Sequence, residues 1–259
     1  MVFPGQGSQS QGMQAELAAE FPVVQETYAV ASDVLGYDLW DLVQSGPAEK
    51  LAETAVTQPA MLAAGVAAYR AWQAAGGDVP GQMAGHSLGE YTALVCADAI
   101  TFPEAMSVVR RRAQLMQEAV PKGAGAMAAI LGLDDEAVKK VCEEASRDGV
   151  AEAVNFNSPG QIVLAGDVDA IERAIEGARQ AGARRAIKLP VSVPSHSSLM
   201  VGAGEALQDA LAAAAFSTPA VTVVAATDGQ PYTDATDIRE RLSKQVYGPV
   251  QWVQTCLLY

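Results

Sequence analysis

Gly85-His86-Ser87-Leu88-Gly89 is the stretch on which the reading of this chain turns. It fits the pattern G-x-S-x-G, in which a sharp strand-to-helix turn lifts a serine hydroxyl clear of the backbone while the flanking glycines avoid collision. The neighbours fit the same geometry. The uncharged run from Val79 to Ala84 reads as a buried strand, and Glu90-Tyr91-Thr92-Ala93-Leu94-Val95-Cys96-Ala97 reads as a helix. Ser87 is thereby expected at a helix N-terminus, where unpaired N–H groups and the helix dipole favour developing negative charge. A strand, a turn and a helix in that order predict an α/β fold.

Working outward, the chain opens with Val2-Phe3-Pro4-Gly5-Gln6-Gly7-Ser8-Gln9, a short apolar run entering a glycine-rich loop. No Lys-Ser/Thr follows and no third glycine stands where a dinucleotide site needs it, so a tight loop bringing backbone N–H groups to a site is the better reading. Residues 12 to 76 are predicted helical, with breaks at Gly36, Gly46 and Pro59, and Trp40 and Trp72 are expected as core anchors. A helix is predicted from Pro103 to Val120. Its stripe of Ala105, Met106, Val109, Ala113, Met116 and Val120 is about 120° wide. Arg110 and Arg111 point away from this stripe. Arg112 falls at its edge, where a guanidinium usually meets a carboxylate or phosphate.

Residues 125–190 read as strand, helix, strand, turn, strand, helix, strand, with Asn157-Ser158-Pro159-Gly160 as the central turn. The order βαββαβ predicts a small ferredoxin-like subdomain inserted in a larger domain. An irregular stretch from Pro190 to His196 follows. After it come a helix from Val201, a strand over 221–225, a helix over 239–246 and a last helix over 250–259.

Composition narrows the function. The chain has 259 residues, 50% hydrophobic and 18% charged, and a net charge of -13, which argues against nucleic acid as a partner. Residues 110–188 hold 12 of the 17 basic side chains, so if an acidic partner docks, that segment is the place, with Arg110, Arg111, Arg184, Arg185 and Lys188 as candidates. No apolar run reaches the roughly 18 residues of a membrane span and no signal peptide opens the chain, so the expectation is a cytoplasmic protein without a membrane partner. Cys96, Cys142 and Cys256 show no metal-ligand or disulfide spacing and are expected as core thiols.

A serine becomes a nucleophile at neutral pH only beside a base. The chain has two histidines. His86 adjoins Ser87, and neighbouring side chains diverge at a tight turn, so His196 is the candidate base. The third member is open: Asp134 and Asp167 lie in the inserted unit, and a neutral acceptor can also hold the imidazole tautomer.

Four stretches in order, Phe3-Pro4-Gly5-Gln6-Gly7-Ser8-Gln9, Gly85-His86-Ser87-Leu88-Gly89-Glu90-Tyr91, Asn155-Phe156-Asn157-Ser158-Pro159-Gly160-Gln161 and Pro194-Ser195-His196, resemble the malonyl-CoA:acyl carrier protein transacylases of bacterial fatty acid synthesis. The resemblance runs along essentially the whole chain. It implies a large α/β hydrolase-like domain over 1–124 and 191–259, with the ferredoxin-like subdomain over 125–190. It implies malonyl transfer from malonyl-CoA to the phosphopantetheine thiol of acyl carrier protein, without metal or cofactor.

Carried over, it makes Ser87 the nucleophile, His196 its base, and Gln245 the residue whose side-chain or backbone carbonyl orients that histidine. Gln6 and Leu88 become the oxyanion hole through their backbone N–H groups. Arg112 becomes the fork for the malonyl carboxylate, and Asn157 and His86 become substrate-binding residues. Members of that family continue past the position of Tyr259, so the chain is expected to be a piece of a longer protein. The default oligomeric state is a monomer. The rival readings are a free-standing polyketide-type acyltransferase, a serine thioesterase or hydrolase, and a docking component without activity.

Overall fold

The computed structural model describes residues 1–191 and 193–257. Ser192, in the irregular stretch before His196, and Leu258 and Tyr259, in the predicted last helix, lie outside the described residues. The chain is a mixed α/β protein with one parallel and one antiparallel sheet. It divides into two compact units, Met1–Gln114 with Leu207–Ala225 and Pro231–Arg239, and Leu115–Ala206 with Ala226–Gln230 and Glu240–Tyr259.

In the first unit, β1 (Val2–Phe3), β2 (Gln82–Gly85) and β7 (Thr222–Val224) form a parallel sheet in the order β1-β2-β7, with Phe3 opposite Gly85 and Met83 opposite Val223. The helices here are α1 (Ala15–Glu20), α2 (Val23–Leu35), α3 (Leu39–Ser45), α4 (Ala48–Leu51), α5 (Thr54–Ala74) and α6 (Gly89–Cys96). The 21-residue α5 is buried on nearly every side from Thr57 to Ala64, which explains its weak amphipathic pattern. A Cβ on Gly65 would come within 2.6 Å of the Thr92 methyl, so α5 and α6 pack through small residues.

Gly36 and Gly46 end α2 and α3 as predicted. Pro59 does not end a helix: α5 runs through it, because burial on all sides of this segment outweighs the one backbone hydrogen bond that a proline near the helix start removes. Trp40 packs edge-on against Tyr28 at 4.9 Å. Trp72 is not a core anchor but is 48% exposed, because the last turn of α5 leaves the core and the indole instead covers Gly77 and donates to the Asp78 carbonyl at 3.0 Å. The strand before the serine turn begins at Gln82, and Val79 is exposed.

Helix α7 (Phe102–Glu118) buries Ala105, Met106, Val109, Ala113 and Met116 and exposes Arg110 and Arg111, as its periodicity predicts, but it ends two residues before Val120, which is only half-buried.

In the second unit, β3 (Gly125–Leu131), β4 (Ala151–Ser158), β5 (Gln161–Asp167) and β6 (Arg185–Lys188) form an antiparallel sheet in the order β4-β5-β3-β6. Strand residues alternate between faces. Ala126, Ala128 and Ile130 pack with α8 (Asp135–Ala145) and α9 (Val168–Gln180), whereas Met127, Val163 and Ala165 join a second apolar cluster. β4 and β5 meet in a tight turn at Pro159-Gly160, so Asn157 lies within β4 rather than in the turn. Proline presets the first turn position and Gly160 takes φ 74, which leaves no need for the two preceding residues. The remaining helices are α10 (Val201–Ala213), α11 (Ala235–Gln245) and the one-turn α12 (Trp252–Cys256). Cys96 and Cys142 are buried, but Cys256 is exposed, because only Thr255 of so short a helix is covered.

Candidate active site

The serine turn is built by close backbone contact. β2 ends at Gly85, Ser87 takes the left-handed φ of 51, and α6 begins at Gly89. A non-glycine residue in that conformation costs about 1 kcal/mol or more, so the surroundings must impose it. Glycines make that possible. A Cβ on Gly85 would lie 1.9 Å from the Gly89 carbonyl carbon, and one on Gly89 would lie 2.3 Å from the Phe3 oxygen. One on Gly5 would lie 2.5 Å from the His86 oxygen.

The opening loop is therefore pressed against the serine turn, and the His86 amide donates to the Phe3 carbonyl at 3.0 Å. Among the described residues, the backbone N–H groups of Gln6 and Leu88 donate to no partner within the protein. They are donors left over for an acceptor that a substrate would bring. The Gln6 side chain is turned elsewhere, donating to the Thr54 hydroxyl at 3.3 Å.

Arg112 reaches this turn from α7. Its guanidinium is 1% exposed, donates through Nη1 to Gln58 Oε1 at 2.6 Å and through Nη2 to Ser87 Oγ at 3.2 Å, and lies over the Tyr91 ring at 5.6 Å. Burial pulls its pKa below that of an ordinary arginine, while the Tyr91 phenol and the Glu90 carboxylate push it back. The Tyr91 phenol is itself pushed up to about 12, first by burial, against the pull of Arg112.

The sequence reading passed over Gln58, Tyr91 and the buried Glu90, whose carboxylate accepts a hydrogen bond from the Tyr232 hydroxyl. Gln58 carried a signal: it is the only amide in the uncharged run from Ala55 to Tyr69.

His196 belongs to the second unit and is fixed with equal firmness. It is 4% exposed, takes φ 68, and its amide donates to the Val246 carbonyl at 3.0 Å. Its ring Nδ1 lies 2.7 Å from the backbone carbonyl oxygen of Gln245, at the end of α11. A carbonyl oxygen can only accept, so this contact assigns a proton to Nδ1 and leaves Nε2 with the lone pair that a general base needs. Of the open alternatives for the third member, the one present is a neutral acceptor, supplied by the main chain. Asn157 stands half-buried in β4, where the register with β5 shifts between Phe156 and Ser158. Val250 continues that side of the sheet, accepting from the Phe156 amide and donating to the Val154 carbonyl.

Among the described residues no cluster of His, Cys, Asp and Glu is arranged to hold a metal ion, and no helix is long and apolar enough to cross a membrane.

In the first unit a strained serine stands at a strand-to-helix turn with two N–H donors beside it, and in the second unit a histidine turns Nδ1 to a carbonyl; each is a group of the kind that acyl transfer uses. The family described as acyl transferase domain matches residues 1–255. The chain belongs to the acyl transferase domain family. The curated malonyl CoA-acyl carrier protein transacylase of Salmonella typhimurium is 56% identical to this acyl transferase domain over 254 residues, covering 98% of the chain and 82% of the relative.

Among solved structures, the malonyl CoA-acyl carrier protein transacylase from Coxiella burnetii matches with a TM-score of 0.97 at 49% identity, covering 98% of this chain and 81% of that one. A malonyl-transacylase solved in complex with its type II PKS acyl-carrier protein matches with a TM-score of 0.97 at 54% identity, covering 98% and 82%.

Proposed function

We propose that this acyl transferase domain moves a malonyl group from malonyl-CoA to the phosphopantetheine thiol of an acyl carrier protein, through a malonyl ester on Ser87. The observation that carries this reading is the contact of Arg112 Nη2 with Ser87 Oγ at 3.2 Å. A buried guanidinium beside a nucleophile selects an acyl group that ends in a carboxylate. The identity to curated malonyl CoA-acyl carrier protein transacylases supports the same substrates.

The steps follow from the residues. His196 Nε2 takes the Ser87 proton as Oγ attacks the thioester carbonyl. The oxyanion is met by the Gln6 and Leu88 N–H groups, each worth about 3 kcal/mol in such a position. The C–S bond breaks, and coenzyme A leaves with the proton from His196. The carrier thiol then repeats the sequence in reverse, giving its proton to His196 and regenerating Ser87. Asn157 and His86 line the path of the thioester. The reading needs neither metal nor cofactor, places the reaction in the cytoplasm, and needs one copy of the chain.

The strand order β4-β5-β3-β6 with two helices packed on one apolar cluster supports a ferredoxin-like subdomain over 125–190, within a hydrolase-like domain over 1–124 and 191–259. A second reading keeps the chemistry and changes the pathway, since one similar malonyl-transacylase was solved with a type II PKS acyl-carrier protein.

Intact-protein mass spectrometry after mixing with malonyl-CoA tests the reading. A malonyl adduct is expected that requires Ser87 and disappears when a carrier protein thiol is added. Steady release of coenzyme A into water without an adduct would instead indicate a hydrolase.

A further inference from the structure

Glu152 lies in β4 opposite Ala165, on the face of the sheet turned away from α8 and α9, where Ala165 joins the second apolar cluster. Both of its carboxylate oxygens go to one residue. Oε2 accepts from the Ser198 amide at 2.8 Å and Oε1 from the Ser198 hydroxyl at 2.7 Å. These are short, charge-assisted contacts, and as a pair they fix a direction as well as a distance. Ser198 opens the turn Ser198–Met200, which runs directly into α10. The carboxylate thus answers one of the unpaired N–H groups at a helix start, where negative charge is favoured.

No step above uses this pair, yet Ser198 stands two residues after the proposed base. His196 takes φ 68, a left-handed conformation that a non-glycine residue keeps only where its surroundings impose it. Its own amide is tied to the Val246 carbonyl at 3.0 Å. On the following side, the Ser197 hydroxyl donates to the Pro194 carbonyl at 2.6 Å, which closes the loop on itself rather than on the sheet. The buried Met200 adds an apolar anchor, but a flexible thioether tolerates shifts that directed hydrogen bonds do not. The clamp on Ser198 supplies what neither of these does, a directed polar tie from the carboxyl side of His196 to β4, across 46 residues of sequence.

We infer that Glu152 is a positioning residue for the base: its clamp on Ser198 holds the strained His196 turn, and with it the contact of Nδ1 with the Gln245 carbonyl, in the conformation that presents the Nε2 lone pair to a proton. The inference rests on the malonyl-transfer reading, in which His196 is that base. Glu152 takes no proton itself and acts through the main chain of residues 196–198.

The test is the rate constant of malonyl loading in Glu152→Ala and in Ser198→Ala, read over a range of malonyl-CoA concentrations by intact-protein mass spectrometry. Glu152→Ala should lower the saturating rate constant about tenfold, a part of the roughly 10²-fold or more that a positioned base supplies. Ser198→Ala keeps the amide contact and should lose about threefold, for the loss of one of two hydrogen bonds. The double variant should lose no more than Glu152→Ala alone, because the two side chains work through one clamp. Glu152→Gln keeps one acceptor oxygen and should recover part of the rate. The half-saturating concentration should stay unchanged throughout, since Arg112 is untouched. Ser198 is exposed, so Ser198→Ala carries the test if Glu152→Ala does not fold.

A purely structural role would lower the fraction of chains that take the malonyl group and leave the rate constant of the rest as it was. That result, an unchanged rate constant in both single variants, or losses that multiply in the double variant would overturn the inference while leaving malonyl transfer intact. Failure of the unmodified protein to take a malonyl group at all would overturn the underlying reading, and the inference with it.

Discussion

The ring Nδ1 of His196 lies 2.7 Å from the backbone carbonyl oxygen of Gln245, and the side-chain amide of Gln245 is not the atom that makes this contact. The tautomer of the proposed base is therefore set by the main chain at the end of α11. Gln245→Ala leaves that carbonyl in place. It should change the rate of malonyl loading by no more than about threefold, whereas His196→Ala, which removes the base, should cost about 10²-fold or more. Single-turnover loading followed by mass spectrometry measures both. A Gln245→Ala loss as deep as that of His196→Ala would show that the side chain does the orienting.

Arg112 makes two directed contacts at once, to Gln58 Oε1 at 2.6 Å and to Ser87 Oγ at 3.2 Å. An ammonium group has the charge but not the planar fork. Arg112→Ala should cost malonyl loading about 2 to 5 kcal/mol, the range for truncating one partner of a buried charge pair, while acetyl loading holds or rises. Arg112→Lys should fall between. Competition between malonyl-CoA and acetyl-CoA for Ser87 gives the selectivity directly, and a malonyl preference unchanged in Arg112→Ala contradicts the assignment.

Local signals that carry their own geometry were legible in the sequence, and signals set by tertiary surroundings were not. The serine turn announced itself because Gly85 and Gly89 are demanded by contacts of 1.9 and 2.3 Å that no side chain survives. The spacing along α7 read correctly because that helix faces its core with one side. Pro59 misled because α5 is buried on nearly every side around it, and Trp72 because the last turn of that helix leaves the core. The serine and Arg112 are brought together by packing of α7 against the turn, and periodicity placed Arg112 only at the edge of a stripe. Glu90 and Tyr232 stand 142 residues apart, and nothing local to either reports their hydrogen bond.

Gly89 is constrained by space rather than by its backbone angles. A Cβ there would meet the Phe3 oxygen at 2.3 Å and the Pro4 oxygen at 2.7 Å, both backbone atoms that cannot swing aside. Gly89→Ala must therefore push the Phe3–Gly7 loop off the serine turn. A destabilisation of about 3 kcal/mol is expected, at the upper end for an overpacked interior. The vacant N–H of Gln6 should be misplaced at the same time. Urea unfolding measures the first effect and malonyl loading the second. A variant with unchanged midpoint and loading rate would show that the loop yields at no cost.

Glu104 offers a titration whose sign follows from its contacts. Thr101 and Glu104 cap the start of α7 reciprocally: the Thr101 hydroxyl donates to Glu104 Oε2 at 2.5 Å and accepts from the Glu104 amide at 3.4 Å. The Ala215 amide donates to Oε1 at 3.1 Å. These donors hold the carboxylate below its usual range, the Thr101 hydroxyl first and the Ala215 amide next. A folded-state pKa below the unfolded one means that the native state binds the proton less readily. The contribution is then present in full above the unfolded value, about 4.3 for a glutamate, and is lost as pH falls through the lower folded value. Glu104→Gln, whose amide cannot ionise, should melt below the unmodified protein at pH 7, and the gap in Tm should narrow as the pH is lowered from 5 towards 3. A gap of constant size across that range would assign the role of Glu104 to its shape rather than to its charge.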